Sequence, residues 1–216
     1  HGGDTCDDGS ETSYADEGGM VFLEEYGQGQ TAVLKCVEMY ESPETALTVC
    51  GGTVVMEDCR FVDSWKGVEF YSGYANGQNM PGTAAVVRSV FSGNDYWGMG
   101  VCEETGLTVT GCTFSGNGAA GLGLQDSVAT FDGCEFSENT SAGVETWSTS
   151  EPAGAFADCD IIDNGGPGLR LTSGTTLFSG CTISGNGDSG IYSSASGPLI
   201  TGLKTTVTGI FFDFPK

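Results

Sequence analysis

The residues equipped for chemistry are few and unevenly placed. The chain has one histidine, His1, at its first position. Proton transfer in the body would therefore fall to carboxylates, Lys, Arg or Tyr. Six cations lie in the body: Lys35, Arg60, Lys66, Arg88, Arg170 and Lys204. They stand at unlike positions, and Arg60, Lys66 and Arg88 are the one grouping that neighbouring segments offer. Carboxylates are abundant, 29 among 216 residues. Asp58 and Arg60 flank Cys59, and Asp158 and Asp160 flank Cys159. With Glu57, Glu69, Glu135 and Glu145 they are expected on outward strand faces, as a solvated surface that protects edges. Paired carboxylates on adjacent strands are also what calcium binds, so calcium is the one metal this composition suggests. A glycosidase carboxylate pair is a further use of such groups. Nine cysteines without a CxxC spacing or a histidine partner do not make a zinc site. No other cofactor is expected.

Aromatic residues give a sharper signal. Trp65 follows Ser64, and Tyr96 and Trp97 follow Asn94. The insertion YSGYANGQNMPG contributes Tyr71 and Tyr74, and a second insertion, WSTSEPAG, begins at Trp147. Loops on a rigid scaffold are where function tends to sit. Trp65, Tyr71, Tyr74, Tyr96, Trp97 and Trp147 are thus the candidate binding residues, a stacking platform for a sugar or a protein. The plainer alternative is that Trp65 and Trp97 cover a corner of the core.

These side chains must be positioned by a repeat. GCTFSGNGAAGLGL, from Gly111, returns as GCTISGNGDSGIYS, from Gly180. Aligned on Cys112, Cys134, Cys159 and Cys181, the copies are 22, 25 and 22 residues apart. Val109, Phe131, Phe156 and Phe178 stand three before. Phe114, Phe136, Ile161 and Ile183 stand two after, and Asn117, Asn139, Asn164 and Asn186 five after. A glycine followed by an aliphatic residue stands nine after. Upstream, Ser89 takes the cysteine place with Asn94 beyond it, then Cys59 with Ser64. Cys36, preceded by Val33, keeps only the outline.

Short runs of Val, Phe, Ile and Thr broken by Gly and Asn are strands, and a period of 22 to 25 residues suits one turn of a parallel solenoid. Turns stack at about 4.8 Å, so like residues lie on like. The cysteines Cys112, Cys134, Cys159 and Cys181 should form a buried, unbridged column. Asn94, Asn117, Asn139, Asn164 and Asn186 should form a second at a corner, where Asn suits a left-handed backbone. Cys6, Cys50 and Cys102 fall outside the column and either pair or stay free. GGPGLRL, from Gly165, has the outline of a calcium-binding nonapeptide, but Arg170 stands where the Asp belongs.

The VxxCxFxxN turns resemble the right-handed parallel β-helix repeats of the pectin-lyase-like superfamily, from Thr31 to Thr208. The resemblance implies an all-β, right-handed parallel β-helix of about eight coils. That scaffold carries lyases, hydrolases, epimerases, adhesins and inert modules, so it does not assign a function. The family's lyases use a basic residue with calcium or arginine on the uronate, and its hydrolases an Asp cluster with a histidine.

A formal charge of −22 repels nucleic acid and anionic lipid. No apolar run is long enough to cross a membrane as a helix. Residues 1–19 read as an acidic, Gly-rich segment or cap, and residues 20–216 as the β-helix domain, led in by a strand at Met20 to Leu23. The chain begins with His1 rather than Met, as a mature or trimmed form would, and the expected setting is outside the cytosol. The missing acid–base parts predict a non-enzymatic structural or binding module with a protein or glycan partner. The alternative is a carbohydrate-active enzyme, a polysaccharide lyase or glycoside hydrolase.

Overall fold

The computed structural model describes residues 20–23, 31–75, 78–80, 82–102, 106–147, 154–172, 176–194, 200–201, 206–208 and 210–212. Three parallel sheets form the three faces of a β-solenoid. Each turn contributes one short strand to each face, as in turn 4: Gly106–Thr110, Thr113–Ser115 and Leu122–Gln125. Seven complete turns run from Thr31 to Ser193, and Ile200–Thr201, Thr206–Val207 and Ile210–Phe212 begin an eighth. The lead-in strand Met20–Leu23 pairs onto Thr45–Cys50 on the third face. The segment 1–19 lies outside the described residues.

The interior is built of columns. On the second face Phe61, Phe91, Phe114 and Phe136 stack with centroids 5.4, 4.8 and 4.7 Å apart and planes within 7°. On the first face Phe131, Phe156 and Phe178 stack likewise, at 4.7 and 5.3 Å. Strand spacing nearly equals the thickness at which aromatic rings pack, so register and stacking reinforce each other.

The expected columns are present. Cys112, Cys134, Cys159 and Cys181 are buried and free. Their thiols point at the carbonyl two residues back, as Cys112 Sγ does to Thr110 O at 3.4 Å. Ser89, in the same column, donates to Val87 O at 3.0 Å and its N–H points at Cys112 Sγ, 3.3 Å away. The column is thus a weak hydrogen-bond ladder as well as packing. Contact with Cys134 and burial push the Cys112 thiol well above its ordinary range. Of the cysteines outside the column, Cys50 is disulfide-bonded, Cys102 is buried and not in a disulfide, and Cys6 lies outside the described residues.

The asparagine column is tighter still. Asn117 Oδ1 accepts both the N–H and the Nδ2–H of Asn94, at 3.1 and 3.0 Å. Asn117 Nδ2 donates to Phe91 O at 3.2 Å and to Asn139 Oδ1 at 2.8 Å. The pattern repeats through Asn139, Asn164 and Asn186. Ser64 and Ser42 carry it upstream.

Two details differ from the sequence reading. The left-handed residue is not the asparagine but the one before it: Glu41, Asp63, Gly93, Gly116, Glu138, Asp163 and Gly185 have φ between 52° and 69°. The bend is made there, and the asparagine clamps it. In turn 1 the register shifts by one residue. Leu34, not Val33, pairs with Met56 and is buried, whereas Val33 is 56% exposed. Cys36 sits exposed at the left-handed corner. Val37 takes the cysteine's place, its carbonyl accepting Arg60 N–H at 2.8 Å.

The recurring glycine also acquires a reason. A Cβ at Gly143 would lie 2.9 Å from Asn164 Nδ2, 2.9 Å from Gly168 O and 2.7 Å from an Ile161 methyl. Asn139→Ala should therefore cost about 1–3 kcal/mol in urea unfolding, and Gly143→Ala should destabilise as well. Thr130→Ala, on the exposed side of the first face, should leave the midpoint unchanged. Equal midpoints for all three would mean that the ladder does not hold the turns.

Candidate functional site on the third face

Strand alternation on the third face turns Val68 and Phe70 inward and the residue between them outward. Following that outward row through the pairing gives Thr48, Glu69, Gly100, Gly123, Glu145, Arg170 and Tyr192. Two consecutive glycines leave the middle of the row bare, and tryptophans occupy the space. A Cβ at Gly100 would lie 3.2 Å from Trp97 Cε3, and one at Gly123 3.0 Å from Trp147 Cη2. Trp147 Nε1 donates to Gln125 Oε1 at 3.2 Å.

Four of the six candidate aromatics come together here. Trp65 stacks on Tyr96 at 5.7 Å and 12°, Tyr96 meets Trp97 at 4.7 Å, and Trp97 meets Trp147 at 5.2 Å. Tyr71 is half-buried at the end of the strand Lys66–Tyr71, opposite Cys50. Tyr74 lies on the antiparallel pair of Gly73–Ala75 with Gln78–Met80, and its side chain is outside the described residues.

Beneath the aromatic cluster lies a buried ion pair. Lys66 Nζ is 2.8 Å from Glu69 Oε1, with side chains 12% and 2% exposed. Thr45 Oγ1 donates to Glu69 Oε2 at 3.0 Å. Lys66 Nζ stands 5.7 Å from the Trp97 ring centroid and 6.0 Å from that of Tyr96, within cation–π range. Glu69 is therefore not the solvated outer carboxylate that alternation predicts. It is outward from the core but roofed by rings that lean over the glycines.

At the other end of the row the charges are open. Arg170 Nη1 is 3.4 Å from Glu145 Oε1, with side chains 44% and 17% exposed. Ser141 Oγ donates to the same Glu145 oxygen at 3.4 Å. Tyr192 is the next residue of the row, one strand beyond Arg170. A guanidinium there can receive a carboxylate, and the phenol and carboxylate on either side of it can exchange protons. Sequence reasoning left Tyr192 out; its position two beyond Gly190, matching that of Arg170 two beyond Gly168, was the available signal.

The expected grouping of Arg60, Lys66 and Arg88 does not form. Arg60 pairs with Glu38 at 3.0 Å, and Arg88 reaches Asp58 at 2.9 Å and Glu57 at 2.5 Å. Lys35 joins Glu57 at 2.7 Å. Hydrogen bonds from Lys35 and Arg88 hold the Glu57 carboxyl below its ordinary range. These groups sit about the corner between the first and second faces, away from Lys66. Among the described residues no three His, Cys, Asp or Glu side chains converge as a metal site. The first face carries a shallow depression of about 690 Å³ lined by Thr130, Ala155, Ala157 and Leu177 among others, and it offers little charge.

The Lys66–Glu69 pair makes a direct prediction. Lys66→Met or Glu69→Leu alone strands a buried charge and should cost about 3–5 kcal/mol. The double variant should recover most of that loss in a thermal or urea melt. Additive losses would show that the two charges do not depend on each other.

A family model described as a right-handed β-helix region matches residues 49–209. Among curated proteins no sequence matches. Solved structures share the fold: the periplasmic alginate epimerase AlgG has a TM-score of 0.66 at 14% identity, over 77% of this chain and 39% of its own. The A-module of the Azotobacter vinelandii mannuronan C-5 epimerase AlgE4 has 0.58 at 17%, over 85% of this chain and 64% of its own. The chain thus spans less than two thirds of either. These neighbours run against the expectation of a non-enzymatic module, since both are enzymes that modify carbohydrate, and they favour the alternative reading. With three parallel sheets wound turn on turn and a family match over most of its length, the chain belongs to the right-handed β-helix family.

Proposed function

We propose that the chain is the β-helix unit of a carbohydrate-active enzyme that works on an acidic polysaccharide, with the third face as its working surface. The observation that carries this is the exposed Arg170 beside Glu145, with Tyr192 on the adjoining strand. A uronate carboxylate taken up by Arg170 would have its charge neutralised, which acidifies the neighbouring C5–H. Glu145 or Tyr192 then accepts that proton, and the other is placed to return one. Return to the opposite side of the ring inverts C5. If the C4–O electron pair instead leaves with its oxygen, which takes its proton from that second group, a C4=C5 double bond and a shortened chain with a free hydroxyl end result. The fold likeness to two alginate-modifying epimerases supports uronate as the substrate class. The setting proposed is extracytoplasmic, supported by the periplasmic neighbour and by the disulfide at Cys50.

The test is incubation of the full chain with polymannuronate, alginate and pectate, with and without calcium, in salt that screens the −22 charge. Ultraviolet absorbance reads unsaturated ends and proton NMR reads inverted residues. Turnover is expected, with Arg170→Ala lowering kcat/KM by about 10²–10³-fold and Tyr192→Phe by about 10²–10⁴-fold. Absence of product from every uronate polymer would overturn the proposal.

A further inference from the structure

We infer that Trp147 is the ring against which the sugar lies at this site, and that Gln125 is a positioning residue acting through it. The inference rests on the reading of the third face as a glycan surface. Trp147 is two residues from Glu145 on the same strand and on the same outward side. That strand, Val144–Trp147, pairs directly with the strand carrying Arg170. The ring is fixed from three directions. Its Nε1–H is held by Gln125, Trp97 braces it at 5.2 Å, and Gly123 leaves it room to reach back over the preceding strand. The one polar atom of the indole is spent within the protein, so what remains exposed is apolar ring. That suits the C–H face of a pyranose whose carboxylate is held by Arg170. A ring fixed beforehand also loses little freedom when the ligand arrives.

Trp65 and Tyr96 are more exposed, at 43% and 37%, but they are less well placed. They stack on each other near turns 2 and 3, three to four strands from Arg170. At about 4.8 Å per strand that is roughly 14–19 Å. They lie beyond the sugar unit that Arg170 would hold.

The experiment is calorimetric titration of the folded full chain with a mannuronate hexasaccharide, alongside tryptophan emission and the turnover assay. Trp147→Ala should weaken binding about tenfold or more, Trp147→Phe should retain most of it, and Trp65→Ala should bind as the wild type does. Gln125→Leu should weaken binding less than Trp147→Ala and change the emission before ligand is added. A raised KM with kcat nearly kept is expected in both Trp147→Ala and Gln125→Leu. Unchanged binding in Trp147→Ala, loss in Trp65→Ala instead, or no binding by the wild type would overturn the inference. If Trp147→Ala fails to fold, Trp147→Phe and Gln125→Leu decide it: a full loss in the first or none in the second overturns it. Turnover that is indifferent to Trp147 leaves the enzymatic proposal standing without this inference. Binding that needs Trp147 but never yields product does the reverse.

Discussion

From Asn94 to Asn186 the stacking of the turns depends on a side-chain amide hydrogen-bonding to its copy one turn away. The Asn column does this with each Oδ1 accepting two N–H groups and each Nδ2 donating to a neighbouring backbone carbonyl and to the next amide. The groups are buried, so a missed partner leaves an unsatisfied amide that water cannot reach. That penalty fixes the register between turns. Once the register is fixed, the phenylalanines must stack, the thiols must align, and the outward residues of each face must fall into rows.

The rows are where the chain departs from uniformity. On the second face the column repeats Phe upon Phe. On the third, the same geometry carries glycines, a roofed ion pair and an open one. Glycine at two successive places in a row costs strand stability and adds no packing of its own. Here the vacated volume is taken by Trp97 and Trp147, which build a small second core outside the sheet. The ion pair under that roof is buried at a desolvation cost that its short contact and the Thr45 hydrogen bond offset. Arg170 and Glu145, beyond the roof, remain in reach of a ligand.

The columns were legible because they recur at fixed offsets. Cysteine, asparagine and the aromatic positions needed no knowledge of distant contacts. What the sequence concealed depends on how one turn sits on the next. The shift at Val33 and Leu34 arises because turn 1 lacks the central motif, leaving nothing to anchor the alignment. Glu69 reads as exposed by alternation, and only the glycines one and two strands away, with the tryptophans that lean over them, bury it. Arg60, Lys66 and Arg88 looked adjacent along the chain, yet each occupies a different place in the turn and so a different part of the solenoid. The third-face row is hidden in the same way: it aligns Glu145, Arg170 and Tyr192 from three turns, with separations of 25 and 22 residues and no histidine to mark it.

Backbone amide shift mapping with a mannuronate hexasaccharide addresses the central claim, that register makes the third face the working surface. The account predicts perturbations along Val144–Trp147, Leu169–Leu171 and Ile191–Ser193, on three neighbouring strands of one face. Perturbations centred instead on the first-face depression around Ala155 and Leu177 would contradict it.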